Sequence, residues 1–279
     1  MNLLSITKPG IIFGNIITVC GGYFLGSQDG FALFPLIIVV IGMSLVMASG
    51  CVMNNIIDSD IDRLMERTKN RALATGLVSR KTALVFGVLL GLIGIGLLYI
   101  WTNLLSTLIA LVAWLVYVIS YSLYMKRKSV YGTIIGGIAG AAPPVIGYCA
   151  AANRFDMGAV AVFFILFLWQ IPHSYAIAVY RLKDYTAAAI PVLPVKKGIY
   201  YTKITMLVYI VVFTIAAIMP TVLGYSGTAY FIVALVAGLC WLYLGIQGLM
   251  TDDNRRWARK MFIYSIFNIT LLCVMMAVG

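Results

Sequence analysis

A run of polar side chains at the end of an apolar segment carries the oxygen atoms that a divalent cation needs. Asn54, Asp58 and Asp62 are four residues apart, so they share one face if the segment continues as a helix. An amide and two carboxylates suit Mg²⁺, which keeps several waters and also accepts phosphate oxygens from a substrate. The spacing therefore predicts a magnesium site.

Arg63, Arg67 and Arg71 repeat the same spacing, offset by one residue, and form a basic stripe beside the acidic face. Carboxylates alone would repel a diphosphate, whereas carboxylates that hold Mg²⁺ beside guanidinium groups would bind one. Two other interpretations stay open: a solvated loop with i,i+4 ion pairs, and a pathway for cations or protons. Against a pathway, few ionisable residues lie inside the apolar runs.

The single histidine of the chain, His173, lies in a second polar segment. Tyr180 and Asp184 follow it by 7 and 11 residues, so on one continuous helix the three lie nearly on a line of about 16 Å. Such a line would connect a site within the membrane to one at its surface. A lone histidine indicates either a hydrogen bond inside the helix bundle or a contact with a cofactor or substrate. Pro172 is expected to interrupt this helix.

Long apolar helices must position these residues. Of the 279 residues, 62% are hydrophobic and 10% are charged, whereas a soluble domain carries about 25% charged residues. This composition excludes a soluble globular enzyme and a disordered chain. The five cysteines are isolated and form no C-x-x-C, which argues against a disulfide framework or a zinc site. The apolar runs are too long for a lipid-facing β-barrel.

Nine apolar runs are long enough to cross a bilayer, since one crossing takes about 20 residues. The predicted spans are 11–27, 33–57, 82–101, 104–124, 131–151, 158–180, 204–222, 228–249 and 260–278. The chain is thus predicted to be an all-α polytopic membrane protein. Because nine is odd, its termini should lie on opposite sides of the membrane.

The basic residues set the orientation of this bundle. If the N-terminus is cytoplasmic and the C-terminus external, 19 of the 20 Lys and Arg residues lie on the cytoplasmic side, and Arg154 alone does not. The net charge of +11 is then a topology signal and does not indicate nucleic-acid binding. The long polar connections 58–81 and 181–203 fall on the same side, where long loops usually carry function.

Small residues and prolines mark the fifth span. Gly132, Gly136 and Gly140 recur at four-residue spacing, which predicts close packing of helices. The Pro143–Pro144 pair is expected to break or kink the helix and to open space for a ligand.

The Asn54-to-Asp62 pattern resembles the first aspartate-rich motif of the UbiA superfamily of intramembrane prenyltransferases. The second motif of that superfamily commonly carries two aspartates, whereas Tyr180 and Asp184 here supply one carboxylate. Asn55 stands where an aspartate is frequent. Over roughly residues 3–265, further segments resemble the haem-farnesylating branch of this superfamily. These segments are 7–10, 48–51, 60–63, 66–68, 121–127, 140–148, 169–173 and 190–195.

The resemblance implies one integral-membrane prenyltransferase domain over residues 1–279, with a UbiA-type bundle of nine helices in a bacterial inner membrane. It implies that farnesyl diphosphate and haem B yield haem O and diphosphate, with Mg²⁺ as cofactor and haem B as substrate. Haem A synthase or a terminal oxidase is the partner it suggests, besides membrane lipid.

The resemblance also assigns roles to single residues. The implied metal ligands are Asn54, Asp58, Asp62 and Asp184. The implied catalytic residues are Asp58, Asp62, Asp184 and Arg67. Diphosphate contacts are expected from Asn54, Arg67, Arg71, Lys8 and Lys126. Haem contacts are expected from His173, Trp169 and Tyr180.

Three alternatives remain at this point. A related prenyltransferase could use a quinone precursor or an iron-free tetrapyrrole as acceptor, although the 169–173 segment favours haem. An ion-coupled secondary transporter could use the acids as ion ligands, but the chain contains no convincing internal repeat. A structural assembly subunit would leave both charged motifs without a purpose.

Overall fold

The computed structural model describes residues 3–278, and nine helices in that range are long and apolar enough to cross a membrane. They are α1 (Pro9–Gly26), α2 (Leu33–Ile57), α3 (Arg80–Trp101), α4 (Leu104–Lys128), α5 (Gly132–Ala152), α6 (Met157–Tyr180), α7 (Leu193–Val222), α8 (Thr228–Met250) and α9 (Asn254–Val278). Helices form because a lipid bilayer offers backbone groups no partner other than the chain itself. The predicted nine spans are confirmed.

The predicted starts of the seventh and ninth spans are wrong. Helix α7 begins at Leu193 and α9 at Asn254, both earlier than the apolar runs alone indicate. The added turns carry exposed basic side chains such as Lys196 and Arg255, which a helix tolerates where it leaves the apolar layer. Gly198, with φ +82°, breaks α7 within this added part. The predicted connection 181–203 therefore shortens to 181–192.

Helix α5 consists of two pieces, Gly132–Gly140 and Ala142–Ala152, as the proline pair predicts. Its second piece carries proline in the first turn, where a missing N–H costs little. Pro143 and Pro144 are buried. A cavity lies beside them, lined in part by Ala142 and Val145 on either side of the pair. The expectation that a ligand uses this space stays a prediction. On another side of the pair, Gly22 lets the α1 backbone approach the backbone of Pro144 in α5.

Helix α1 is held tightly in its second half. A Cβ added at Gly22 would lie 1.9 Å from the carbonyl oxygen of Pro144, and one at Gly21 would lie 2.8 Å from Cβ of Cys273 in α9. In the first half of α1, a Cβ added at Gly10 or Gly14 would meet no atom within 4 Å. The bundle is therefore sealed around the second half of α1, and its first half has room on its glycine face.

Helix α6 lies among α5, α7 and α9 and contributes many of the buried residues. It continues through Pro172, so the predicted interruption there is wrong; tight packing on three sides holds the helix together. The helix ends at Tyr180, and Asp184 lies in a separate short helix, Leu182–Ala187. The predicted straight line from His173 to Asp184 is therefore wrong beyond Tyr180.

We expect Gly22→Ala to destabilise the protein by about 1–3 kcal/mol, because its Cβ would overlap the Pro144 backbone, which can only move by shifting helix α5. Gly14→Ala in the same helix is the matched control, since space surrounds that position. The measurement is the thermal midpoint in detergent. Equal midpoints for the two variants would contradict the close approach of α1 and α5.

Candidate active site

The acidic row lies where α2 passes into the short helix Ser59–Asp62. The Asp58 N–H donates to the Asn54 carbonyl at 2.8 Å, and the Asp62 N–H donates to the Asp58 carbonyl at 2.8 Å. These i→i−4 bonds keep the three side chains in one row. All three residues are buried.

Each member of the row is held by a basic side chain. Lys126 Nζ forms an ion pair with Asp58 Oδ2. Arg71 Nη1 lies 2.9 and 2.8 Å from the two carboxylate oxygens of Asp62. Lys8 Nζ donates to Asn54 Oδ1 at 2.6 Å. Buried carboxylates need such partners, because removal from water is costly for an unpaired charge.

One oxygen of the row is left without a partner. Asp58 Oδ1 is buried and accepts no hydrogen bond among the described residues; the nearest guanidinium nitrogen, Arg127 Nη2, is 3.8 Å away. A buried acceptor of this kind is unfavourable unless an ion or water satisfies it. With the amide oxygen of Asn54 one turn away, the donor set fits a hard divalent cation such as Mg²⁺.

The carboxylates of the two motifs do not form a preassembled metal cage. Within residues 3–278, no three His, Cys, Asp or Glu side chains are grouped to hold a metal. Asp184 instead accepts a hydrogen bond from the Glu66 backbone N–H at 3.2 Å. The second motif thus touches the segment that follows the acidic row.

Tyr185, next to Asp184, lies in the electrostatic field of basic residues on both sides of the site. Burial raises the pKa of Tyr185, and the positive charges of Arg67 and Lys126 act in the opposite direction. Arg67 itself is exposed, at the surface of the 63–79 segment. Arg67, from the segment after the acidic row, and Lys126, from α4, thus both act on Tyr185, the residue next to Asp184.

Lys8 reaches the row from the segment before α1. Its backbone has φ +57°, an uncommon conformation for a residue with a side chain. The pKa of Lys8 is lowered to about 8, mainly by burial and also by the nearby positive charges of Arg71 and Lys126, while Cys51 and Asp58 oppose the shift. The lysine is thus placed among like charges and beside an acidic row.

A π-helix, Val116–Met125, carries α4 past the acidic row. Tyr117 and Tyr121 stack with their ring centroids 5.7 Å apart, and Ser122 Oγ accepts a hydrogen bond from Asn54 Nδ2 at 3.0 Å. Wide π turns often occur at functional sites because they redirect side chains. Lys126 follows directly and reaches Asp58.

Arg127 lies beside the row and pairs mainly with the exposed Asp60. Its two terminal nitrogens each lie 2.7 Å from an Asp60 oxygen, and Nη2 also donates to the Ile57 carbonyl at 2.6 Å. This contact lowers the pKa of Asp60 to about 2. Arg127 thus ties α4 to the end of α2 through Ile57, and to the short helix Ser59–Asp62 through Asp60, at the rim of the site.

The three residues expected to contact haem lie apart from the acidic row, where α6 meets α9. Trp169 Nε1 donates to the Ser265 carbonyl at 2.8 Å, and His173 Nδ1 lies 2.7 Å from Ser265 Oγ. The ring of Tyr180 lies 5.5 Å from the Arg255 guanidinium carbon. We call this line of contacts the α6/α9 seam.

The structure thus brings six of the predicted site residues together. Asn54, Asp58 and Asp62 form the row, and Lys8, Arg71 and Lys126 contact it. Sequence reasoning did not assign a site role to Tyr117, Tyr121, Ser122, Arg127 or Ser265. The tyrosine-rich run before Lys126 is a visible signal for the first three. Only the tertiary structure could reveal the others.

Comparison with known proteins places these features in a family. The model of the UbiA prenyltransferase family matches residues 15–266. A protein named protoheme IX farnesyltransferase from Pseudomonas syringae pv. syringae (strain B728a) is 53% identical over 277 residues, which cover 99% of this chain and 94% of that protein. One of the same name from Photorhabdus laumondii subsp. laumondii is 55% identical over 276 residues, with coverage of 99% and 94%.

Solved structures share the fold at lower identity. A structure of digeranylgeranylglyceryl phosphate synthase has a TM-score of 0.80 at 22% identity, covering 99% of this chain and 98% of its own. A UbiA homolog from Archaeoglobus fulgidus bound to GPP and Mg²⁺ has a TM-score of 0.74 at 15% identity, with both chains fully covered. At these identities the likeness establishes the fold.

We expect Arg71→Met to destabilise the protein by about 3–5 kcal/mol, because it leaves the buried Asp62 carboxylate without its partner. Arg67→Met, in the same segment but exposed, should change stability by less than about 0.5 kcal/mol. Adding Asp62→Asn to Arg71→Met should recover part of the loss, since the buried charge is then gone. The measurement is the thermal midpoint of unfolding in detergent. Comparable midpoints for Arg71→Met and Arg67→Met would show that the ion pair between Arg71 and Asp62 is not required for stability.

Proposed function

The chain belongs to the UbiA prenyltransferase family, and from that premise we propose that it transfers the farnesyl group of farnesyl diphosphate to a vinyl group of haem B. The observation that carries this proposal is the buried row of Asn54, Asp58 and Asp62 surrounded by basic side chains. The names of the relatives that are 53–55% identical supply the acceptor.

Asn54, Asp58 and Asp62 would hold a magnesium ion on one side of the donor diphosphate, with Asp184 contributing from the second motif. When bound, Mg²⁺ neutralises charge that develops on the leaving diphosphate. The unpartnered Oδ1 of Asp58 supports its role as a ligand. The contact between Asp184 and the Glu66 backbone supports an approach of the two motifs.

The basic side chains around the row would bind the diphosphate oxygens. In the structure Lys126 pairs with the Asp58 carboxylate, and Lys8 donates to the Asn54 amide oxygen. On arrival of the diphosphate with its metal, these lysines would exchange a carboxylate or amide partner for a phosphate oxygen, so buried charge stays matched in both states. Arg71 and the exposed Arg67 would add guanidinium contacts.

Cleavage of the allylic C–O bond leaves a farnesyl cation and diphosphate. The stacked faces of Tyr117 and Tyr121 lie beside the acidic row and would stabilise this cation while limiting the access of water. The π electrons of a haem vinyl group then attack the allylic carbon. Water captures the resulting cation and loses a proton, so farnesyl diphosphate, haem B and water give haem O and diphosphate.

Haem B would bind at the α6/α9 seam through Trp169, His173 and Tyr180. The seam offers flat aromatic rings for a porphyrin, with Trp169 and His173 stacked at 4.4 Å between centroids. Arg181 and Arg255 flank Tyr180 and would suit the two propionates. The seam therefore has apolar and cationic parts that match the two ends of haem.

The protein is an integral membrane protein, and we propose that it lies in a bacterial inner membrane with the acidic row on the cytoplasmic side. The opposite end carries Arg154, which is paired with Asp29 and Asp156 and so presents little free positive charge. One domain would span residues 1–279. Haem A synthase or a terminal oxidase would receive the product.

We expect detergent-purified protein to convert haem B to a product heavier by one farnesyl group and one hydroxyl group when farnesyl diphosphate and Mg²⁺ are supplied. Mass spectrometry of the extracted porphyrins detects this change. An iron-free tetrapyrrole and a quinone precursor, offered in parallel, separate haem from other acceptors. Absence of a farnesylated haem, with product from either other acceptor, would refute the proposed acceptor.

We expect Asp58→Asn to lower turnover by about 100-fold or more, because the row loses a metal-binding charge. Asp60→Asn is the matched control, since that neighbour is exposed and pairs with Arg127 at the rim. The rate of product formation in a single turnover is measured for Asp58→Asn and Asp60→Asn, and gel filtration checks that both variants are folded. Unchanged turnover in Asp58→Asn would exclude the row as the site of diphosphate activation.

A further inference from the structure

The α6/α9 seam holds His173 in a defined orientation. Its ring stacks on Trp169 with centroids 4.4 Å apart and lies 5.0 Å from the Phe262 ring. Ser265, which is fully buried, contacts both side chains of α6: its carbonyl accepts from Trp169 Nε1, and its hydroxyl lies 2.7 Å from His173 Nδ1. Three side chains, those of Trp169, Phe262 and Ser265, therefore fix one imidazole.

The Ser265 hydroxyl also determines which ring nitrogen carries the proton. Ser265 Oγ lies 2.6 Å from the Phe262 carbonyl, to which it donates its single proton. It therefore accepts from His173 Nδ1, which must carry the imidazole hydrogen. The other nitrogen, Nε2, is left with its lone pair and has no hydrogen-bond partner among residues 3–278.

We infer that His173 Nε2 is an axial ligand of the iron of the haem substrate, and that Ser265 is the positioning residue that keeps this nitrogen unprotonated. The inference rests on the proposed function and names the iron contact of the same substrate. Histidines that bind metals characteristically donate their second N–H to an oxygen, which fixes the ring and makes the ligand more basic. Ser265 Oγ fills that place here.

The surroundings of His173 favour iron over a haem propionate. The rings of Trp169 and Phe262 and the Ser265 hydroxyl give it no carboxylate partner among the described residues, so the neutral imidazole is the stable form. A neutral nitrogen with a lone pair repels a propionate but binds iron. Cations suited to the propionates lie at Tyr180, about 10 Å further along α6.

The experiment titrates the full-length protein in detergent with ferric haem B and, separately, with iron-free protoporphyrin IX. Electron paramagnetic resonance and resonance Raman spectra of the haem complex should show a nitrogen axial ligand. His173→Ala should lose that signature, and added imidazole should restore it. The affinity of both proteins for the iron-free porphyrin should be the same.

Ser265→Ala should weaken ferric haem binding by about 10- to 100-fold and alter the axial-ligand spectrum, without changing the affinity for the iron-free porphyrin. Ser265→Thr, which keeps the hydroxyl, should restore most of the haem affinity. Ser174→Ala, beside His173 on α6, is a control that should behave as the unmodified protein.

Two results would overturn the inference. One is a haem complex of the unmodified protein that shows no nitrogen ligand, or a nitrogen-ligand signature that persists in the His173→Ala variant. The other is an equal loss of iron-free and iron-containing porphyrin in Ser265→Ala, which would make Ser265 purely structural. Farnesyl transfer is assayed in parallel: absent transfer with intact nitrogen ligation refutes the function alone, and transfer without that ligation refutes the inference alone.

Discussion

Two carboxylates buried at the end of a membrane-spanning helix constrain everything around them. Asp58 and Asp62 are 1% and 3% exposed, so neither charge can be left to water. Their neutralisation by Lys126 and Arg71 ties α4 and the 63–79 segment to the end of α2. Lys8 adds the segment before α1 through Asn54. The fold at this end is built around the matching of those charges.

The same matching explains why the site suits an anionic donor. Lysine and arginine side chains that neutralise carboxylates are also the groups that bind phosphate oxygens. A diphosphate that arrives with a divalent cation brings both a new anion for the lysines and a new cation for the carboxylates. Neither set of charges has to be buried alone at any stage. An apolar donor tail adds no charge to this balance.

Much of the fold follows from the sequence because apolar length is a local property. All nine spans, the break in α5 and the shared face of Asn54, Asp58 and Asp62 are of this kind. The early starts of α7 and α9 do not follow from apolar length, because charged turns can extend a helix beyond its apolar run. At Pro172 the sequence predicts an end to the helix where there is none, since packing on three sides keeps α6 continuous.

The missed site residues depend on contacts between distant parts of the chain. Ser122 meets Asn54 across 68 residues and Ser265 meets His173 across 92, so no spacing rule reveals either pair. The π-helix of α4 is equally hidden, because α-helical and π-helical turns use the same apolar residues. The family resemblance supplied Lys8 and Lys126, and the structure adds what each one touches.

A crystal structure with a non-hydrolysable farnesyl diphosphate analogue and Mn²⁺ tests the charge exchange most directly, because the anomalous X-ray signal locates Mn²⁺. The expected result is Mn²⁺ bound to Asp58, with Lys126 Nζ moved from that carboxylate to a diphosphate oxygen. An intact Lys126–Asp58 ion pair, with the diphosphate and metal bound elsewhere, would contradict the proposed role of the acidic row.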